Sequence, residues 1–269
     1  MNITDLIKTG QLAQARKELI EQVRSAPGDT TARTLLFQVL LFCGEWEKAA
    51  RHLEALASMD KEANPAHIHY AGIIRGEQER IRVIHGETLP SFLPKTPPYF
   101  DIYFQACTKL RNNDSEGASE LFSQAESKVP KISGTVNGSE FKGVCNTDSI
   151  LSWFLETFAH GRYVWVPFEA IRELTISPPE TLIDLIWATA SLTTWEGLTL
   201  NCVLPVLYPE SSLHENDLVK MGKQTEWLSL GGPFCRGVGQ QVFEIGGQDL
   251  SILEITEMEF HYSESGENS

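Results

Sequence analysis

A chain of 269 residues that is 42% hydrophobic and 22% charged has the make-up of a soluble globular protein, long enough for two ordinary domains. Its formal charge of -14 is uneven: residues 1–130 carry 15 Lys and Arg against 17 Asp and Glu, residues 131–269 carry 7 against 19, so the halves stand at -2 and -12. Such an acidic second half repels phosphate backbones and excludes nucleic acid as the expected partner, and no apolar run approaches the roughly 20 residues of a membrane helix.

In chain order, the first signal is a repeat. "TGQLAQARKEL" from Thr9 and "CGEWEKAARHL" from Cys43 superimpose at an offset of 34, pairing Gly10 with Gly44, Leu12 with Trp46, Ala15 with Ala49 and Leu19 with Leu53. A glycine ends one helix in a left-handed cap, a large apolar residue follows, and a small alanine lets the next helix come close. "NNDSEGASELF" is a weaker third copy at an offset of 69, with Asn113, Ala118 and Phe122 in the places of Gly44, Ala49 and Leu53. The period is that of tetratricopeptide repeats. It predicts a TPR-like α-α superhelix over residues 1–132, with helices near 2–8, 12–25, 30–42, 47–58, 65–84, 99–111 and 115–127.

Repeat arrays of this kind offer a concave surface to a peptide or helix. Thr34, Gln38, Leu41 and Arg75, on first helices of pairs, are the candidate partner-binding residues. "TLPSFLPKTPPY", Thr88 to Tyr99, interrupts the helices with four prolines, and Phe92, Leu93 and Tyr99 would anchor it as an ordered excursion.

After "SGTVNG", Ser133 to Gly138, the pattern turns toward alternation with Gly-rich turns, which places a domain boundary near 130–136 and a mostly β domain, a small barrel or sandwich, over 133–269. The whole is an α+β multidomain protein. Leu155–Ala159 and Arg162–Val166 read as a hairpin turning at His160-Gly161, with Tyr163 and Trp165 on one face. Pro167 then suits a helical turn or two through Phe168, Ile171 and Leu174. The segment from Thr181 through "WEG" to Tyr208 reads as a second hairpin, although "LIDLIWATASL" has no helix breaker. "HENDLVKMG" reads as a short helix capped by Gly222. "GVGQQVFEI" and "LSILEITEMEF" flank Gly246-Gly247 as a last hairpin.

Catalytic signatures are missing: no G-x-S-x-G, H-E-x-x-H or G-x-x-x-x-G-K-[ST] string occurs. His67 and His69 diverge on a helix and have no third ligand nearby in sequence. Asp148 with Glu156, or Asp184 with Glu180, would serve acid/base chemistry only if folding paired them. Cys43, Cys107, Cys145, Cys202 and Cys235 stand singly, as free thiols do in a reducing compartment. "MNITDLIKTGQLAQARKEL" lacks a basic n-region followed by an apolar stretch. A cytoplasmic protein without cofactor or membrane partner is expected.

The order "FKGVCNTDS…LET…GRYVWVPFEAI…DLIWATA…LPVLYPES…MGKQTEW…GVGQ" resembles the ImpE, or SciE-type (TagJ), accessory proteins of bacterial type VI secretion, over nearly the whole chain. Its most specific pieces are "GRYVWVP", "LPVLYP" and "GKQTEW". In that pattern arginine is usual at Lys223, aspartate at Glu226 and a basic residue at Gln241. The resemblance implies a non-enzymatic cytoplasmic adaptor that binds the N-terminal helical segment of the small subunit of the contractile sheath and assists its handover to the ClpV ATPase. From the residues alone, an enzyme with a site in the β domain or inter-domain cleft and a general TPR co-chaperone stay open. "GRYVWVPFEAIREL" is expected to be a core hairpin and its exit.

Overall fold

Eight helices and fourteen strands make up the computed structural model, which describes residues 2–60, 62 and 64–261. The helical first half consists of α1 (Ile3–Lys8), α2 (Leu12–Ser25), α3 (Thr30–Phe42), α4 (Trp46–Met59), α5 (Asn64–Ile84), α6 (Phe100–Arg111) and α7 (Ser115–Glu126), within two residues of the expected limits. Local chemistry sets these limits. Asn2, Asp29 and Asp114 accept backbone N–H bonds at the starts of α1, α3 and α7.

The three copies of the repeat end their first helices alike. Gly10, Gly44 and Asn113 stand at φ +77°, +66° and +59°. Each turn closes with the same pair of bonds: Gly10 N–H to Ile7 and Gln11 to Leu6, Gly44 to Leu41 and Glu45 to Leu40, Asn113 to Leu110 and Asp114 to Lys109. Ala15, Ala49 and Ala118 are fully buried in the following helices.

The second half is built on a nine-stranded sheet. Its order is β1 (Ser91–Phe92), β6 (Arg162–Pro167), β5 (Phe154–Ala159), β9 (Thr199–Pro205), β8 (Trp187–Thr194), β7 (Ile171–Ile176), β14 (Glu257–His261), β2 (Ser133–Val136) and β3 (Ser139–Lys142). No pairing of β1 with β3 closes it, so the expected barrel or sandwich takes the form of an open sheet with two small companions. One companion joins β13 (Gln248–Ser251), β12 (Val242–Ile245) and β4 (Val144–Asn146); the other pairs β10 (Glu226–Gly231) with β11 (Phe234–Val238). The short helix α8 (Asp217–Lys220) lies in the long connection after β9.

The β5–β6 and β8–β9 hairpins form as expected. Two readings are corrected. Only Phe168–Ala170 make a 3-10 turn after Pro167, and Ile171 and Leu174 belong to β7, whose ladder with β8 is bulged, so a strand mimics helical spacing. The last segment is no single hairpin arm either. It splits at a 3-10 turn, Ile252–Glu254, and β14 crosses to the large sheet between β7 and β2.

Phe154, Glu156 and Phe158 alternate on one face of β5, and α5 and α6 come down onto it. A side chain at Gly76 would meet the Phe158 ring at 2.6 Å, and one at Gly72 would meet the Gly161 Cα at 3.4 Å. Two glycines within a helix cost roughly 1 kcal/mol each, and here they admit the sheet. Phe154 meets Phe100 and Tyr103 of α6 at 6.3 and 5.1 Å between ring centroids. A single apolar core therefore runs from Leu6 to Phe260. The proline-rich excursion is ordered: β1 pairs in parallel with β6, and Tyr99 is fully buried with its hydroxyl on Glu169 Oε1 at 2.7 Å.

Candidate partner-binding cleft

One face of α5 carries Gly72, Gly76 and Arg80 at four-residue intervals, and the third delivers a charge into the core. The Arg80 guanidinium binds Glu156 in two places, Nε to Oε1 at 2.8 Å and Nη2 to Oε2 at 2.6 Å. Its Nη2 also donates to the Leu207 carbonyl at 2.8 Å, and Nη1 lies 3.3 Å from Glu77 Oε2. Trp187 Nε1 donates to Glu77 Oε1 at 2.8 Å. The Tyr163 hydroxyl donates to Glu156 and receives Trp165 Nε1 at 2.5 Å. Gln241 Nε2 donates to Glu156 Oε2 at 3.0 Å and to the Pro205 carbonyl at 2.8 Å. Two carboxylates and one guanidinium, all buried, leave a formal charge of -1.

Burial opposes the Arg80 charge, but the attraction of Glu156 and Glu77 outweighs it and holds the guanidinium above its ordinary pKa. Glu77 is pushed up by burial, only partly offset by Arg80. Every member is bound, so the cluster ties α5 to the sheet.

Above it opens a cleft of about 340 Å³. Leu41, Trp46, Ile81, Ile186, Leu207 and Leu213 form its apolar walls, with Glu77, Arg80 and Glu210 at polar points. Leu213 is 75% exposed at this site. Trp46 stacks on Trp187 at 6.4 Å between centroids, and Tyr70 stacks on the same indole at 6.1 Å. Glu210 meets His85 Nε2 at 2.9 Å. Ser211 Oγ donates to the Tyr208 carbonyl at 2.6 Å and accepts the Gly239 N–H at 2.8 Å, so it is no free nucleophile. The arrangement suits apolar side chains, held by burial at about 25 cal/mol per Å².

The connection that walls the cleft also docks on the repeat turns. Side chains at Gly44 and Gly10 would run into Ser212 and Leu218, and Gly231 of the β10–β11 hairpin lies against Ser115 after the third turn. Asp217 accepts the Ala13 N–H at 3.0 Å, and Lys223 donates to the Lys8 carbonyl at 2.5 Å.

Of the residues singled out from sequence, Leu41 is buried and lines the cleft, while Thr34 is exposed and Gln38 half-buried on the same helix. Arg75 is exposed and lines a different pocket. Asp148 and Glu156 do not pair: Asp148 holds Arg236 Nε at 2.7 Å, and Glu156 holds Arg80. Asp184 accepts the Thr181 N–H at 2.7 Å and the Glu180 N–H at 3.1 Å, so it caps a turn. Sequence reasoning does not reach Arg80 or Glu77 and meets Gln241 only as a departure from the family pattern; the one hint of the pair is the register of Arg80 with two helical glycines.

Two of the phrases that mark the chain meet here: "GRYVWVP" supplies Tyr163 and Trp165 and "LPVLYP" the Pro205 and Leu207 carbonyls, while "GKQTEW" places Lys223 on the end of α1. A family model described as ImpE protein matches residues 138–259. The type VI secretion system accessory component TagJ of Pseudomonas aeruginosa PAO1 is 32% identical over 256 residues, covering 95% of this chain and 90% of that protein. The chain belongs to the ImpE family. A crystal structure of a Vibrio parahaemolyticus protein, 21% identical, has the same fold, with a TM-score of 0.88 over 98% of this chain and 99% of that one. In this ImpE chain, no helix among the described residues is long and apolar enough to cross a membrane. The ImpE match lies wholly in the acidic half, yet that half builds its cleft only together with α3, α4 and α5.

Proposed function

We propose that this chain is a non-enzymatic cytoplasmic adaptor of type VI secretion. Its TPR-like helical half holds the N-terminal amphipathic helix of the small subunit of the contractile sheath and presents it to the ClpV unfoldase. The relative's designation as an accessory component supports the setting. The observation that carries the binding mode is the apolar cleft, in which Leu41 of the repeat array faces Leu207 and Leu213 of the other half. Leucine-type anchors at i, i+3, i+4 and i+7 of a partner helix suit such a groove.

The test is a pulldown with the sheath small subunit and with its N-terminally truncated form. Capture of the first and loss of the second are expected, and Leu213→Glu should weaken capture while leaving the melting temperature unchanged. Apolar anchoring also implies little loss between 50 and 500 mM salt, a range in which the Debye length falls from above about 10 Å to below about 5 Å. No binding to the intact sheath subunit would sink the adaptor reading.

A further inference from the structure

A second pocket, about 390 Å³, opens between the first half of α5, the β5–β6 turn and strands β8 and β9. Its chemistry is the reverse of the surface around it. Acidic residues number 36 in the chain, yet no Asp or Glu is among the described residues that line this pocket; His69, Arg75 and His160 are. Arg75 has no ion pair or hydrogen bond among the described residues. Its Nη2 lies 3.8 Å from where a Gly72 Cβ would stand, and the Gly161 Cα lies 3.4 Å from that same point, which sets the guanidinium beside the turn. Glu79, four residues further along α5, accepts the Tyr163 N–H at 3.3 Å and does not line the pocket.

The turn adds a second observation. His160 and Gly161 stand at φ +52° and +71°, the left-handed pair of a two-residue hairpin turn, in which asparagine is the favoured first residue. His160 thus carries its imidazole on the turn that borders the pocket. Ile68, 63% exposed, and Phe158 supply an apolar wall.

We propose that this pocket receives a carboxylate side chain from an acidic, partly apolar peptide segment of a partner protein. A guanidinium takes a carboxylate through two parallel hydrogen bonds. The histidines supply further donors, and the aliphatic stem of a glutamate rests on Ile68. On a chain whose second half stands at -12 such a segment is repelled by most of that half, so the pocket also helps to set the orientation of the partner. The pocket is distinct from the cleft over Arg80, and this inference does not rest on the adaptor reading.

The experiment titrates the ¹⁵N-labelled full chain with the blocked peptide acetyl-Leu-Glu-Leu-Glu-Leu-Glu-amide, with its glutamine counterpart, and with inorganic phosphate at matched ionic strength. Saturable shifts of the Gly72 and Gly161 amides are expected with the glutamate peptide alone. Arg75→Glu should weaken binding about tenfold or more, the worth of one charge-assisted bond. His160→Asn keeps the turn and should weaken it as well. Equal binding of the glutamine peptide, equal shifts with phosphate, full affinity in Arg75→Glu, or no saturable shift at millimolar peptide would each overturn the proposal.

Discussion

Ser212 rests against Gly44: a side chain at this glycine would come within 2.9 Å of the serine Cβ. Gly44 thus meets two demands at once, a left-handed backbone at φ +66° that ends α3 and room for the connection carrying the cleft wall. Gly44→Ala should cost about 1–2 kcal/mol for the backbone alone, and more from the contact. Ser212→Gly should recover the contact part and leave the backbone part, and a double-mutant cycle by urea denaturation separates them.

Ala49 has no exposed surface on α4, the helix that packs against α3. Ala49→Leu should overpack that contact by about 1–3 kcal/mol. A lowered midpoint in thermal melts is the expected result.

Arg80→Met leaves Glu156 and Glu77 buried with no cation and should destabilise the protein by about 3–5 kcal/mol. Replacing Glu156 by Leu in the same chain should recover part of that, because one of the two stranded carboxylates is gone. Chemical denaturation of the two variants checks both.

Glu169 is raised above its ordinary value by burial, opposed by the Tyr99 hydroxyl that donates to it. The folded state therefore holds this proton more tightly than the unfolded chain. The resulting stability is fully present below the unfolded value of about 4.5 and is lost as pH rises through the folded value. Glu169→Gln cannot titrate, so the stability of wild type relative to this variant should fall with rising pH across that window.

We propose that residues 1–132 and 133–269 form two units with the boundary near 130–136. Lys128 and Lys131 are exposed between α7 and β2, and trypsin should cut there first. Because one core joins both sides, the nicked halves should stay together on size exclusion. A first cut within 150–205 would count against the boundary.

The sequence by itself determined the helices, the repeat turns and the β5–β6 hairpin, because these depend on neighbours a few residues apart. Gly10, Gly44 and Asn113 bring their own backbone preference, and Ala15 and Ala49 their own small volume. It could not determine that Glu156 waits for Arg80, 76 residues earlier, or that Gln241 completes their site from the far end of the chain. Apart from the register of Arg80 with Gly72 and Gly76, neither carries a local signal, since a charged residue looks alike in a solvated loop and in a buried pair until its surroundings are known. The same reason hid β14: Glu257–His261 alternates like any strand, and only the tertiary structure decides that it pairs with β7 and β2 instead of continuing the nearest hairpin. The cleft is tertiary in the fullest sense, because its walls come from α3, α4, α5, Ile186 ahead of β8 and the connection after β9, and it exists only where all of them are packed together.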